Sequence, residues 1–240
     1  MGQVQQVRLF HDDTELIGRL MTPPGAGPHP AVMVMASAMG PGPHFLGIAE
    51  KLVAQGYAAL VTDMYGGGAA YAVPAQAGGS YERVLKAPGL VRCRAVAWFE
   101  TLQARPEIDA GRIAAIGYCF GGFCVLELAR SGADVKAVVS FHGNLLTDSK
   151  AGPGALKGLL AIYTGGKDPF APLEDIPVFQ AEMLQAGHGQ YHLTLFADAC
   201  HSFTTKEDGA LPVQGLAYQP MADAVSWAGT LALLGQVLRA

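Results

Sequence analysis

Cys119, Asp168 and His201 are the residues of this sequence best suited to covalent catalysis, and they occur in that order. Cys119 is the centre of a Gly-x-Cys-x-Gly motif between an apolar run at 113–116 and a helix-like stretch. This spacing predicts a nucleophile elbow, a strained strand-to-helix turn whose glycines avoid collision with neighbouring backbone. The elbow puts the thiol at a helix N-terminus, where partial positive charge favours the thiolate. Taken alone, the motif is equally compatible with a tight turn around a buried thiol.

Asp168 and His201 are each predicted to follow a strand. The apolar run at 159–164 ends in a loop that contains Asp168, and the alternating segment at 191–196 leads to His201. Catalytic groups gather at the carboxyl ends of the strands in a parallel sheet, so this order predicts a nucleophile–acid–histidine triad. Asp198 is close to His201 in sequence and is the alternative acid.

Such a triad cleaves an acyl group from its leaving group. Cys119 would attack the carbonyl carbon, His201 would transfer the protons, and Asp168 would orient the imidazole. The first product is a thioester acyl-enzyme, which water then cleaves. The oxyanion that forms in each step needs backbone N–H donors. Phe120, directly after the nucleophile, is predicted to supply one donor, and Ala38, in the loop after an earlier strand, the other.

Strands and helices alternate along most of the chain, which predicts a mostly parallel central sheet with helices on both faces. A hairpin at 3–21 comes first. The other predicted elements are strands at 31–35, 57–62, 113–116, 135–141, 159–164 and 191–196, and helices at 45–55, 89–104, 175–187 and from about 219. Residues 64–88 are rich in Gly and Ala and lack periodicity, which predicts a long loop. Such a loop is equally compatible with a lid or pocket lining and with a surface excursion that has no role at the site. No linker divides the sequence, which predicts a single domain over residues 1–240.

Several motifs resemble those of the dienelactone hydrolase family. They are Gly-Tyr-Cys-Phe-Gly-Gly at 117–122, Asp-Pro at 168–169, His-Ser-Phe at 201–203 and Gly-Tyr-Ala-Ala-Leu-Val-Thr-Asp-Met-Tyr-Gly at 56–66. The resemblance extends over nearly the whole chain. It implies an α/β-hydrolase fold, a small-molecule ester or lactone as substrate, and no metal or organic cofactor.

Two positions depart from the family pattern and bear on the substrate. Ser37 holds the place of a glutamate that interacts with the cysteine in the family, and Thr205 that of an arginine that binds a substrate carboxylate. A carboxylate taken out of water needs a compensating cation, so we expect neutral, apolar or aryl esters to be preferred. Lys206 or Arg83 would be the replacement cation if carboxylated lactones were preferred. Activated neutral phosphotriesters are a further predicted class, because an oxyanion hole accepts other oxygens that gain negative charge.

Contacts with the substrate are predicted for residues that follow strands or flank the triad in sequence. They are Ser37, Met39, His142 and Phe203, with Met35 and Phe120 as additional apolar lining. Methionine and phenylalanine side chains would give the pocket an adaptable apolar wall.

Composition argues against several other classes of function. Half of the residues are hydrophobic, 15% are charged and the formal net charge is −4, which argues against nucleic acid or an anionic membrane as partner. The N-terminus has no apolar signal core, and the apolar segment 221–238 contains polar residues, so we expect a packed terminal helix.

The four cysteines lack metal-binding spacing. Without an export signal we expect a reducing cytoplasm, with Cys93 and Cys124 as buried thiols. The sequence predicts no oligomeric state.

Two alternatives to hydrolysis use the same residues. The triad is also compatible with acyl transfer to an acceptor other than water. A non-catalytic thiol sensor would use Cys119 and a resolving cysteine, for which Cys200 is the candidate. A sensor has no need of Asp168 and His201 in triad order, so the sequence favours hydrolysis.

Overall fold

One eight-stranded sheet organises the protein, whose computed structural model describes residues 3–206 and 213–239. The strands are β1 (Gln3–His11), β2 (Thr14–Thr22), β3 (His29–Met35), β4 (Ala58–Thr62), β5 (Ile108–Tyr118), β6 (Ala137–Phe141), β7 (Leu159–Gly165) and β8 (Tyr191–Phe196). Their spatial order is β1-β2-β4-β3-β5-β6-β7-β8. The β1–β2 hairpin is antiparallel and β2 pairs antiparallel with β4, whereas β3 to β8 run parallel to one another. The predicted mostly parallel sheet is confirmed.

Helices cover both faces of this sheet. They are α1 (Pro43–Ala54), α2 (Pro74–Lys86), α3 (Leu90–Gln103), α4 (Phe120–Arg130), α5 (Asp175–Gln185) and α6 (Pro220–Leu238). Successive residues of β3 alternate between two apolar clusters: Met33 belongs to the cluster that contains α3, α4 and α5, and Val34 to the cluster that contains α1 and α6. The central strands are therefore buried on both sides, which explains their continuous apolar sequences.

Helix α2 corrects the prediction of a continuous loop at 64–88. Residues 74–86 are helical, and Pro74 is in the first turn, where its missing N–H has no helical partner to lose. Only Ala77 and Val84 of this helix are buried. The apolar periodicity was too sparse to reveal the helix from sequence.

Helix α6 packs against the sheet, as predicted for the C-terminal segment. Its residues Ala222, Ser226, Thr230, Leu234 and Leu238 are buried at intervals of one turn, and the helix contacts β5 and β6. By length and composition it could also cross a membrane, and 28% of the apolar window is buried. The buried stripe accounts for the apolar character of one helical face.

Candidate active site

The elbow around Cys119 has the strained geometry that its glycines predict. Strand β5 ends at Tyr118, helix α4 begins at Phe120, and Cys119 between them has φ +55° and ψ −116°. A Cβ on Gly117 would overlap the carbonyl of Gly121, and a Cβ on Gly121 would overlap the carbonyl of Met35. Only glycine allows this close approach, which holds the thiol at the carboxyl end of the central strand.

His201 and Asp168 meet directly, although 33 residues separate them in sequence. Nδ1 of His201 lies 2.8 Å from Oδ2 of Asp168. The other carboxylate oxygen accepts the backbone N–H groups of Phe170 and Ala171 at 2.8 and 3.0 Å. Three donors therefore fix the Asp168 carboxylate. Asp198, the alternative acid, is exposed and lies within 3.4 Å of the Gln219 amide instead.

Cys119 and His201 stabilise each other's charged forms. Burial disfavours the thiolate, but the neighbouring His201 and the backbone N–H groups of Ala38 and Phe120 outweigh it, so the pKa of Cys119 lies below its ordinary value. Burial also disfavours the imidazolium, but the Cys119 charge and the hydrogen bond to Asp168 raise the pKa of His201 to about 10. Both shifts favour a thiolate–imidazolium pair over a neutral thiol and imidazole.

The backbone donors predicted for the oxyanion are at the sulfur. The backbone N–H groups of Ala38 and Phe120 lie close enough to the Cys119 sulfur to stabilise its thiolate and lower its pKa. Ala38 belongs to the loop after β3, and Phe120 is the first residue of α4. Donors this close to the nucleophile are positioned to reach an oxygen on the carbon that it attacks.

His142 and Phe203 do not line the cleft, which corrects their predicted contact with substrate. Phe203 is 0% exposed and His142 is 1% exposed, and their rings pack together with centroids 5.0 Å apart. Nδ1 of His142 accepts the Cys119 N–H at 3.2 Å, and Nε2 is 2.9 Å from the Thr204 hydroxyl. The Cys119 N–H also donates to the Phe141 carbonyl at 3.0 Å, so the hydrogen bond is shared. An Nδ1 that accepts favours neutral His142 with its proton on Nε2, beneath the His201 ring.

A cleft of about 1190 Å³ opens above Cys119 and His201. Ser37 and Met39 line it, as predicted, whereas Met35 is fully buried in the core. Its apolar wall includes Met39, Tyr81, Leu85, Phe120, Phe123, Leu146 and Phe170. Helix α2 contributes Tyr81 and Leu85, so the 64–88 segment lines the cleft, and its movement as a lid stays a prediction.

Sequence reasoning missed Tyr81, Phe123 and Phe170 as parts of this wall. Phe170 follows Asp168 in a loop at a strand end, and Phe123 lies one turn after Cys119 on α4. Both positions could have been inferred from those signals. Tyr81 could not, because its helix was itself missed.

Lys206 and Arg83, the predicted substitutes for the family arginine, lie outside the lining of the cleft. Among the described residues, the lining instead contains Lys86 and Arg92. Those two side chains each bond a glutamate, at 2.7 and 2.8 Å. The cleft therefore offers no uncompensated cation within the described parts of its wall.

The cysteines and acids provide no metal centre in the described ranges, where no group of three His, Cys, Asp or Glu side chains could hold an ion. All four cysteines are free thiols, and Cys124 is buried as predicted. Cys93 is exposed, so its predicted burial is wrong. Its position on α3 lies outside the apolar face that contacts the sheet.

A parallel sheet with an elbow cysteine and a hydrogen-bonded acid–histidine pair at its carboxyl edge defines an α/β-hydrolase. The dienelactone hydrolase family model matches residues 16–238, and the chain belongs to that family. It is therefore a hydrolase of the ester and lactone class.

Three proteins illustrate its similarity to known structures and sequences. A solved structure described as m3DLH is 34% identical, covers 99% of both chains and has a TM-score of 0.92. The dienelactone hydrolase-like promiscuous phosphotriesterase P91 from metagenomic libraries is 31% identical over 98% of both chains, with a TM-score of 0.92. A protein of Escherichia coli K12 named "Putative carboxymethylenebutenolidase" is 26% identical over 74% of this chain and 68% of its own length.

Proposed function

We propose that this protein hydrolyses carboxylic esters or lactones with Cys119 as nucleophile, through a thioester acyl-enzyme. The observation that carries the proposal is the convergence on one sulfur of His201, held by Asp168 at 2.8 Å, and two backbone N–H groups. A structural thiol has no use for this arrangement. A thiol sensor has no use for the Asp168–His201 bond either, which favours catalysis over that alternative.

In the first half-reaction the Cys119 thiolate adds to the carbonyl carbon. The carbonyl oxygen becomes an oxyanion that accepts the N–H groups of Ala38 and Phe120. The carbon–oxygen bond to the leaving group then breaks, and the His201 imidazolium protonates the departing alkoxide. The thioester remains, and His201 is now neutral.

In the second half-reaction neutral His201 takes a proton from water as the oxygen attacks the thioester carbon. The new oxyanion accepts hydrogen bonds from the same two N–H groups, those of Ala38 and Phe120. The carbon–sulfur bond breaks, the acid product leaves, and the electron pair returns to sulfur. This step restores the thiolate–imidazolium pair. Acyl transfer would follow the same course with another acceptor in place of water.

Neutral, apolar or aryl esters are the proposed substrates. The wall of the cleft is largely apolar, and its cations Lys86 and Arg92 are already paired with glutamates. Ser37, which stands in place of the family glutamate, adds no charge to the wall of the cleft. A carboxylated lactone would have to give up hydration of its carboxylate without a free cation in return.

Activated neutral phosphotriesters are a second proposed class. The 31% identity to a protein described as a promiscuous phosphotriesterase favours this extension. The Cys119 thiolate would displace the aryloxide from phosphorus, and the phosphoryl oxygen would accept the same N–H groups. Water would then have to cleave the phosphorus–sulfur bond.

We place these reactions in the cytoplasm, since the exposed thiol of Cys93 suits a reducing compartment.

Hydrolysis of a panel of chromogenic esters and lactones by wild type and Cys119→Ala tests the nucleophile. Cys119→Ala should lose activity and keep its thermal stability, because the thiol is at the floor of the cleft. Cys200→Ala is the matched control and should remain active. Mass spectrometry of a rapidly quenched reaction should find the acyl group on Cys119. A folded Cys119→Ala variant with wild-type turnover would overturn the proposal.

A further inference from the structure

We propose that Tyr65 is a positioning residue that holds both backbone donors of the oxyanion hole in place. Tyr65 follows β4 and does not line the cleft. It contacts the residues of both donors, which come from separate parts of the chain. The inference rests on the proposed function, because it concerns the oxyanion of that reaction.

The hydroxyl of Tyr65 fixes the first donor. It donates to the carbonyl oxygen of Ala38 at 3.0 Å. The N–H on the other side of that peptide, from Met39, donates to the Ser37 hydroxyl oxygen at 3.3 Å. The Ser37 carbonyl accepts the N–H of Gly40 at 3.0 Å, which orients the peptide that carries the Ala38 N–H. Successive peptides are therefore held, and the Ala38 donor is fixed toward the sulfur.

The ring of Tyr65 fixes the second donor. It stacks on Phe120 with an interplanar angle of 5° and centroids 5.8 Å apart. Tyr81 meets the same phenylalanine edge-on at 5.3 Å. Two aromatic contacts of this kind restrain the Phe120 side chain and the first turn of α4, where its N–H is directed at Cys119.

Tyr65 is itself held firmly. It is 3% exposed, its N–H donates to Asp63 Oδ1 at 2.7 Å, and the guanidinium of Arg94 donates to the preceding Met64 carbonyl at 2.6 Å. Burial, with smaller contributions from the nearby cysteines, raises the pKa of the phenol far above its ordinary value. The hydroxyl therefore remains a protonated donor throughout the working pH range.

Tyr65→Phe removes the hydroxyl and keeps the ring. Both half-reactions pass through an oxyanion, so kcat for a neutral aryl ester should fall roughly tenfold, less than the ~10²–10³-fold effect of deleting a donor. KM and the melting temperature should stay near wild type. The inhibition constant of a neutral aryl trifluoromethyl ketone, whose adduct with sulfur carries an oxyanion, should rise in proportion to the loss of kcat/KM.

Tyr71→Phe is the matched control. Its ring lies 6.1 Å from that of Tyr65, but its hydroxyl pairs with Ser80 and contacts neither donor. This variant should keep wild-type kcat and inhibition. Alkylation of Cys119 by iodoacetamide, at a pH where the thiol is fully ionised, uses no oxyanion and should proceed at the wild-type rate in both variants.

Wild-type kcat and ketone affinity in folded Tyr65→Phe would overturn the assignment, and so would an equal loss in Tyr71→Phe. If Tyr65→Phe does not fold, Phe120→Leu removes the stacking contact and retains the N–H. It should weaken ketone inhibition, and unchanged inhibition would refute the inference. The proposed function fails by a different result, namely turnover in Cys119→Ala.

Discussion

Replacing Asp168 with asparagine tests the acid of the triad at nearly constant side-chain volume. Oδ1 of Asp168 accepts two backbone N–H groups, from Phe170 and Ala171, and Oδ2 faces His201. The asparagine oxygen would stay with the two backbone donors, so its NH2 group would face Nδ1 of His201. The imidazole must then accept at Nδ1 and carry its proton on Nε2, the wrong tautomer for a base that acts through Nε2.

The expected loss follows from two effects. The charge-assisted hydrogen bond is worth about 1.5–3 kcal/mol, which corresponds to roughly 10- to 150-fold in rate. The reversed tautomer adds to that loss, and we expect kcat/KM for a neutral aryl ester to fall roughly 10³-fold. Burial lowers the pKa of His201, while the Cys119 charge and Asp168 raise it to about 10. Without the Asp168 charge, the alkaline limb of the pH profile should move to lower pH.

The assay is kcat/KM as a function of pH for wild type, Asp168→Asn and Asp198→Asn. Asp198 is exposed and bonds Gln219, so its variant is the matched control and should keep the wild-type profile. Thermal unfolding establishes that each variant is folded. A folded Asp168→Asn enzyme with wild-type kcat/KM and an unmoved alkaline limb would refute this reasoning, and an inactive Asp198→Asn would identify the other acid.

Comparison of kcat/KM for a neutral aryl ester and a carboxylated dienelactone tests substrate choice. The neutral ester should be preferred because Arg92 is already paired with Glu127, and a clear preference for the carboxylated lactone would contradict this. A second prediction concerns stability, because burial lowers the pKa of His142 well below its ordinary value. The unfolded chain then binds a proton that the folded protein excludes, so the free energy of unfolding should decrease below pH ~6.5, by up to about 1.4 kcal/mol per pH unit. Denaturant unfolding below pH ~6.5 should show that the free energy of unfolding depends less steeply on pH in His142→Gln than in wild type. The same slope in both proteins would show that His142 does not contribute.

Local patterns in the sequence determined the framework of this protein. The hairpin, the alternation of strands and helices, and the elbow glycines around Cys119 depend on side-chain periodicity and on turns of a few residues. For example, the motif alone predicted that a side chain at position 121 would collide with neighbouring backbone. In the structure, the backbone of Gly121 lies against the carbonyl of Met35. Such features can be predicted from sequence because the residues that produce them lie within about ten positions of one another.

Tertiary structure decided which strand-end residues meet. Asp168 rather than Asp198 bonds His201, and His142 lies beneath the triad instead of in the cleft. Both acids follow strands, and so does His142; their side-chain directions depend on strand order and on the packing of each loop. Tyr65 contacts Ala38 across 27 residues of sequence because β4 and β3 are neighbours in the sheet. A linear pattern does not contain that adjacency, so it could propose the chemistry of the site without assigning every residue that holds it.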